Sequence, residues 1–442
     1  MSVELISLAG ILLGVCTLIF LAFRGYPIFV IGSVASVIVL LFSGMNVLDA
    51  LLGTYMDSFS EYISNYFFIF LLSSIFGRMM GKTGAAQSIA YKTSRLIRKK
   101  SNEKNHKFLV VMSLVIINMV LTLGGVSLFV VVFTVVEIAK ELFEEFDVPW
   151  KMYTCGVLGS SSFTSTMVPG NPAIINIIPT NYLGTNTMAA PLLGMICAVV
   201  TFLLGSLYIL LETKKNTKNQ EGFYPTGQKI KEAALEKVTF AEQPLVKCLI
   251  PSIVLILVLN VFSASAVIAL TAACFVKIVL FYKELFPNLA EVFKMGGENA
   301  MSAIVSICAA VGFGSVVASV PGYQLVINSL DSIPGPAILQ LVLSFNVISA
   351  VTGSSSGGAS IAFSTLGDHF TDLGLSPQVI HRVGVMSSNG LDSLPHSGAI
   401  FNTLNITRLT HKQAYKNYFM LTVVLETGMS LFAGILTLFG IV

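Results

Sequence analysis

Ser160-Ser-Ser-Phe-Thr-Ser-Thr-Met-Val-Pro-Gly-Asn-Pro172 decides how the chain folds. It sits inside segment 150–180, which is long enough to cross a bilayer. Its prolines and its Ser/Thr/Asn density rule out a continuous helix there. Backbone that leaves the helix at membrane depth must be buried in protein or line a water-filled cavity, because lipid offers it no hydrogen-bond partner. The segment therefore reads as a broken span built around a site. A second one, 377–404, carries Ser387-Ser-Asn-Gly-Leu-Asp-Ser-Leu-Pro-His-Ser-Gly398 at its middle.

The rest of the chain supplies the membrane context. Of 442 residues, 54% are hydrophobic and 11% charged, against about 25% charged in a soluble domain, so there are too few charges to cover a water-facing surface. The apolar residues come in runs such as Val3 to Phe23, Leu192 to Leu211 and Tyr418 to Val442, each near the roughly 20 residues of a spanning helix. The first run has no basic leader and no small-residue cleavage site, so it reads as a permanent helix, with Met1 as the expected start of the mature chain. Cys16, Cys155, Cys197, Cys248, Cys274 and Cys308 stand singly, without metal-ligand spacing, and read as buried small side chains. A net charge of +3 is too small to suggest nucleic-acid binding.

Lys and Arg placement sets the topology. Lys92 to Lys107, the linker 212–246 and the loop of Arg408, Lys412 and Lys416 are basic and read as cytoplasmic. Spans near 3–23, 26–43 and 64–81 precede a hairpin, 107–146, broken at Gly124-Gly125. The broken span 150–180 and a span near 190–211 complete the first half, 1–211. In 247–442 the order recurs: spans near 247–263, 265–282 and 300–320, a hairpin at 335–372 interrupted by Gly353-Ser-Ser-Ser-Gly-Gly358, the broken span 377–404, and a final span. The amphipathic segments 45–62 and 283–298 read as surface helices bracing a scaffold. The predicted fold is an all-α polytopic membrane protein of about 10 transmembrane helices plus two re-entrant hairpins, in two inverted repeats, with both termini outside. Val168-Pro-Gly-Asn-Pro-Ala-Ile-Ile-Asn176 aligns on Leu394-Pro-His-Ser-Gly-Ala-Ile-Phe-Asn402, and Gly124-Gly-Val-Ser127 on Gly357-Gly-Ala-Ser360. Such paired discontinuities point to a secondary transporter with its site near the bilayer midplane.

At helix breaks, free N–H groups suit a carboxylate and free carbonyls suit a cation, so the expected substrate is a small organic anion. The candidate binding residues are Gly124, Gly125 and Ser127 at one tip and Ser354, Ser355, Ser356, Gly357 and Gly358 at the other. The breaks add Ser161, Ser162, Thr164, Thr166, Gly170 and Asn171, then Asn389, Ser393, His396 and Ser397. The wider hydroxyl rows take in Ser160, Ser165 and Ser360, and hydroxyls that both donate and accept suit a hydroxy acid. The same hydroxyls also serve helix packing. Asp392 and His396, ionisable at membrane depth, are the candidates for carrying a coupling proton, or else a helix cap and a structural hydrogen bond. Asp368, His369, His381 and Arg382 read as interfacial.

Gly353-Ser-Ser-Ser-Gly357 also satisfies G-x-S-x-G, but that motif needs a strand-turn-helix setting, absent from an all-helical chain. An intramembrane serine protease using Ser355 with His369 or His396 is the alternative from a different class. Neither HExxH nor a P-loop occurs, so no metal, cofactor or direct use of ATP is expected, and the chain is not read as an enzyme.

Leu123-Gly-Gly-Val-Ser-Leu-Phe-Val-Val-Val-Phe-Thr134, Pro169-Gly-Asn-Pro172, Thr352-Gly-Ser-Ser-Ser-Gly-Gly358 and Gly390-Leu-Asp-Ser-Leu-Pro-His-Ser-Gly398 together resemble the gluconate permease family of the ion transporter superfamily, over nearly the whole chain. The resemblance implies proton symport of gluconate or a related hydroxy acid such as 3-hydroxybutyrate in a bacterial cytoplasmic (inner) membrane. It also implies a homodimer with a fixed scaffold and a moving transport part, an elevator-like alternation. Sugar-acid members carry a Pro-rich, His-containing motif in the first broken span and an acidic residue in the first hairpin. Here those places read Val168-Pro-Gly-Asn-Pro172 and Val126-Ser-Leu-Phe-Val-Val131, which resembles the branch labelled 3-hydroxybutyrate permease. Sodium in place of the proton is the other coupling ion that Ser/Thr/Asn-rich tips allow.

Overall fold

Gly10 and Gly14, four residues apart on helix α1 (Val3–Phe23), let α2 (Ile28–Phe42) lie directly against it. A Cβ at Gly10 would stand 2.3 Å from the Cβ of Phe42, and one at Gly14 would stand 2.7 Å from Val39. Small residues at this spacing bring helices close where lipid gives no hydrophobic drive between them. The opposite face of α1 is apolar and exposed at Leu5, Leu12, Leu13 and Phe20, as a lipid-facing surface must be. The structure, a computed structural model, describes residues 2–24, 26–100, 105–123, 128–160, 162–233, 243–260, 262, 264–331 and 334–442. Among them there is no β-strand.

Further along come α3 (Val47–Lys82), the basic amphipathic α4 (Ala85–Lys100) and the two hairpin arms α5 (His106–Leu123) and α6 (Leu128–Glu145). After the first break runs α7 (Pro191–Lys218). The second half holds α8 (Leu245–Asn260), α9 (Ala266–Leu280), α10 (Leu289–Ser319) and α11 (Pro321–Asp331). It closes with the arms α12 (Ala337–Thr352) and α13 (Ser355–Asp372), then α14 (Pro377–Ser388), α15 (Gly398–Thr407) and α16 (His411–Leu438).

Six of the described helices, α1, α3, α5, α7, α16 and the stretch Tyr282–Ser319, combine the length and apolarity to cross a membrane, and four shorter ones are equally apolar. The all-helical, multi-pass architecture read from the sequence is the one observed. Two expected surface helices are not separate: 45–62 is continuous with the span of α3, and 283–298 with that of α10. These two long helices pack on each other where Gly296 leaves room for the Ile75 backbone; a Cβ there would come within 3.0 Å of Ile75 Cα. α11, which the sequence reading did not separate, is tied to α1 by a hydrogen bond from Gly322 N–H to Ser7 Oγ at 2.9 Å. Cys16 is exposed, unlike the other five cysteines, because it lies on the outer face of α1.

Two stretches depart from the α-helix. Residues Trp150–Gly159 form a ten-residue 3₁₀ helix, well beyond the usual three or four residues of that poorly bonded form. Packing compensates: Gly159 presses on α5 so closely that a Cβ would lie 1.8 Å from the Val115 carbonyl oxygen, and Asn118 Nδ2 donates to the Gly156 carbonyl at 2.8 Å. Trp150 Nε1 donates to the Thr407 carbonyl at 2.9 Å, fastening this break to the end of the other. The second break runs from Asn389 to Ser397 and holds only a short 3₁₀ turn, Leu391–Ser393.

Candidate functional site

The second hairpin turns at Gly353, which caps α12 in the left-handed region (φ +61°), a conformation nearly free of cost for glycine and worth about 1–2 kcal/mol of strain for other residues. The next residue, Ser354, caps α13: its Oγ accepts from Gly357 N–H at 3.2 Å. The N-terminus of an 18-residue helix, with its partial positive charge, is thereby aimed at the middle of the second break. Asp392 meets it there. Ser355, the first residue of α13, lines the same cavity as its carboxyl, which accepts from Ser393 Oγ at 2.9 Å. Asp392 is 5% exposed.

A cavity opens beside this carboxyl. It offers about 140 Å³ to the centres of water molecules, where one water needs about 10–15 Å³, so its size suits a small organic molecule. One wall is Tyr62, Ile69 and Phe70 of α3 with Ile307 and Ala310 of α10. The other consists of Thr122, Ser160, Ser165, the stretch Pro172–Ile175, Ile177, the tip Gly353–Ser356, Asn389, Asp392, Ser393, the stretch Ser397–Ala399 and Tyr418. Among the described residues no Lys, Arg or His lines it, and Asp392 is its only carboxyl. Tyr62 Oη and Ser356 Oγ lie 3.1 Å apart across the two walls.

Ser354, Ser355, Ser356, Asn389, Asp392, Ser393 and Ser397, all singled out in the sequence, meet at this cavity. Gly357 and Gly358 lie just behind, buried; Gly358 lets α13 approach α12 so closely that a Cβ would meet Ser349 Oγ at 2.3 Å. In the first break, Ser162 Oγ donates to the Leu421 carbonyl at 3.1 Å and Thr164 is buried with no partner for its hydroxyl among the described residues. Thr166 offers its carbonyl to Arg382 at 2.8 Å. Gly170 adopts a left-handed turn (φ +75°). Asn171 caps the following turn through Ala173 N–H at 2.8 Å and reaches the Thr122 carbonyl at 3.3 Å. None of these five lines the cavity. Gly124, Gly125, Ser127 and Ser161 lie outside the described residues. His396 is not a lining residue either: its Nε2 donates to the Ala350 carbonyl at 2.8 Å, which in the neutral ring makes Nδ1 the acceptor nitrogen, and Nδ1 is buried without a partner among the described residues.

His381 and Arg382 are a correction. They are fully buried, not interfacial. Arg382 donates to the carbonyls of Ala189 (2.9 Å), Thr166 (2.8 Å) and Thr187 (2.9 Å) and to Asn176 Oδ1 (3.0 Å). His381 spans Thr185 Oγ1 at 2.7 Å and Asn176 Oδ1 at 3.2 Å. A guanidinium fork suits this ring of converging carbonyls left free by a broken helix. Glu426 was also missed. It lies in α16 two residues past a π-helical stretch, Phe419–Val424, and is 0% exposed. A single acid within the apolar run Tyr418 to Val442 was the available signal.

Residues 6–367 match the family model described as GntP family permease. A Bacillus subtilis (strain 168) protein described as "Uncharacterized transporter YxjC" is 29% identical, over 98% of this chain and 99% of its own. The crystal structure of the Alcanivorax borkumensis YdaH transporter superposes with a TM-score of 0.48 at 18% identity, covering 89% of each chain. With more than three quarters of its length inside the family model, and with the apolar helices of a multi-pass membrane protein, this chain belongs to the GntP family of permeases and is a transporter, not an enzyme.

Proposed function

We propose that the chain is a proton-coupled symporter of a small hydroxy monocarboxylate, with 3-hydroxybutyrate as the first candidate and gluconate the second. The observation that carries this reading is the position of Asp392, which among the described residues is the only carboxyl in a cavity without a basic side chain, beside Ser354 and Ser355 at the N-terminus of α13. Those N–H groups and the surrounding serines are what a substrate carboxylate would seek. Two carboxylates about 4 Å apart repel by about 4 kcal/mol at an effective dielectric of about 20, roughly a thousandfold in binding. A proton on Asp392 removes that cost, so anion and proton enter together. The hydroxyls of Ser355, Ser356, Ser393 and Ser397 recognise the hydroxy group.

An elevator-like movement is supported by the asymmetry of the cavity. Its scaffold wall, on α3 and α10, is apolar apart from the Tyr62 hydroxyl, and the opposite wall holds the serines, Asn389 and Asp392 beside the apolar residues 172–177. A pair of packed helices followed by a broken segment occurs twice, in α5 with α6 and in α12 with α13, which supports inverted repeats 1–211 and 247–442 joined by a cytoplasmic linker. The same reading puts both termini outside a bacterial cytoplasmic membrane and pairs two copies through the scaffold. Uptake of radiolabelled 3-hydroxybutyrate and gluconate into proteoliposomes, with an inward proton gradient and no sodium, tests it. Wild type accumulates one of the acids and Asp392→Asn does not. Uptake of neither acid in sealed vesicles overturns the substrate class or the ion, and restoration by sodium alone overturns the proton.

A further inference from the structure

Asn346, buried near the end of α12, joins three parts of the chain through one amide. Its Oδ1 accepts from the backbone N–H of Leu391 at 3.3 Å and from Thr427 Oγ1 of α16 at 3.4 Å. Its Nδ2 donates to the Val342 carbonyl at 2.9 Å and to Ser430 Oγ at 3.4 Å. Gly390 leaves room for this approach: a Cβ there would stand 2.5 Å from Oδ1 and 2.6 Å from Thr427 Oγ1. An N–H freed where a helix breaks must find an acceptor inside the protein, since lipid supplies none. Leu391 opens the 3₁₀ turn Leu391–Ser393, so the amide that holds its first residue also fixes the next one, Asp392. The first break is held from α5 in a similar way. Asn118, near the end of that arm, donates from Nδ2 to the Gly156 carbonyl at 2.8 Å, and a Cβ on Gly156 would stand 2.7 Å from that nitrogen. The two breaks differ in chemistry: residues 150–180 contain no Asp or Glu, whereas 377–404 contain Asp392.

We propose that Asn346 is a positioning residue for Asp392, fixing the turn that presents the coupling carboxyl to the cavity beside Ser354 and Ser355. The proposal rests on the proton-symport reading. Asn346 touches neither the cavity nor the carboxyl and acts only through the Leu391 N–H. Other titratable groups surround the same turn. Tyr62 and Tyr418 line the cavity with Asp392, Tyr415 Oη donates to the Ser393 carbonyl at 3.1 Å, His396 lies four residues on, and Glu426 precedes Thr427 on α16. None of them is hydrogen-bonded to Asn346, so each keeps its own contacts when the amide is replaced.

The test uses the full chain in proteoliposomes and perturbs the contact from both sides. Asn346→Leu keeps the volume and removes the acceptor. Gly390→Ala keeps the amide and pushes it off the Leu391 N–H, and it carries the test by itself if Asn346→Leu does not fold. In both, the pH at which uptake of radiolabelled 3-hydroxybutyrate is half-maximal shifts by about one unit or more, about a tenfold change in proton occupancy. Two matched losses serve as controls: Asn118→Leu in the break without an acid, and Thr427→Val, which leaves the Leu391 bond in place. These lower the thermal midpoint in detergent and keep the wild-type pH profile. A purely structural role for Asn346 would lower the midpoint and leave its profile unshifted as well. Labelling of Asp392 by dicyclohexylcarbodiimide, which attacks protonated buried carboxyls, reads the same shift without transport when mapped by mass spectrometry across pH. An unshifted profile and unshifted labelling in the first two variants, or an equal shift in Asn118→Leu, overturns the proposal. If wild type takes up no 3-hydroxybutyrate, the symport reading fails by itself, and the labelling still decides whether Asn346 positions Asp392.

Discussion

Arg382 Nη1 donates to Asn176 Oδ1 at 3.0 Å, joining two residues 206 positions apart. Through this contact the second half of the chain supplies the partner that the first break lacks. The same guanidinium satisfies three carbonyls around that break. Arg382→Met keeps the length of the side chain and removes every donor. Leaving buried acceptors unpaired costs about 1–3 kcal/mol each. The variant is expected to lose at least about 3–5 kcal/mol and to unfold at a clearly lower temperature in detergent. Arg382→Lys, without the planar fork, falls between the two. A midpoint unchanged in Arg382→Met would mean that the first break holds itself together.

Much of this was legible in the sequence because membranes leave few choices. Apolar runs of spanning length, and Ser/Pro/Gly-rich interruptions inside them, mark helices and breaks without reference to tertiary contacts, which is why an all-helical, multi-pass fold could be read from them. Sequence alone could not separate the breaks' two kinds of polar residue. Ser355 and Ser397 line the cavity, whereas Ser162 and Asn171 have near-identical local patterns but bond neighbouring backbone. Which side a hydroxyl faces depends on the packing of distant helices. Arg382 was misplaced for a related reason: it lies near the end of a span, where an arginine usually snorkels to the interface, and the carbonyls that bury it come from a segment about 200 residues away.

Gly353 and Gly398 bracket the same cavity and predict opposite outcomes. Gly353 has φ +61°, and a Cβ would stand 2.6 Å from Cδ2 and 2.9 Å from Nε2 of His396. Gly353→Ala therefore strains the backbone and pushes the imidazole off the Ala350 carbonyl, to which it donates at 2.8 Å. Loss of at least about 2 kcal/mol and of most transport is expected. Nothing lies within 4 Å of a Cβ at Gly398, so Gly398→Ala folds as wild type. Matched thermal unfolding curves and uptake rates for the two variants check this, and equal behaviour would contradict it.

Outside the membrane, Glu221 anchors the loop after α7. Its carboxylate accepts from Lys151 at the start of the first break, and its carbonyl accepts from Lys107 Nζ at 3.1 Å. The Lys151 ammonium holds the Glu221 carboxyl below its ordinary value of 4.5. A depressed carboxyl contributes stability above pH 4.5 that is lost as pH falls through its lower folded value. Glu221→Gln is thus expected to be less stable than wild type at neutral pH and to converge with it on acidification. Thermal midpoints across that range show it, and because the pair is partly exposed, high salt shrinks the difference. Curves that run parallel at every pH would rule the contribution out.

Tyr62 and Ser356 connect the scaffold wall to the hairpin tip by a hydrogen bond of 3.1 Å. If the two walls move past each other, this bond exists in only some of the states. A side-chain hydrogen bond is worth about 1 kcal/mol net, so removing it redistributes those states by about fivefold. Tyr62→Phe is expected to fold normally and to change the transport rate or the half-saturating concentration by up to about fivefold. It carries no coupling proton on this reading, so the pH gradient still drives accumulation, unlike in Asp392→Asn. Ser356→Ala should act alike, and the double variant should add nothing to either single one, because both remove the same bond. Additive effects in that cycle would mean that the two hydroxyls act separately on substrate, and the contact between the walls would then have no part in the alternation.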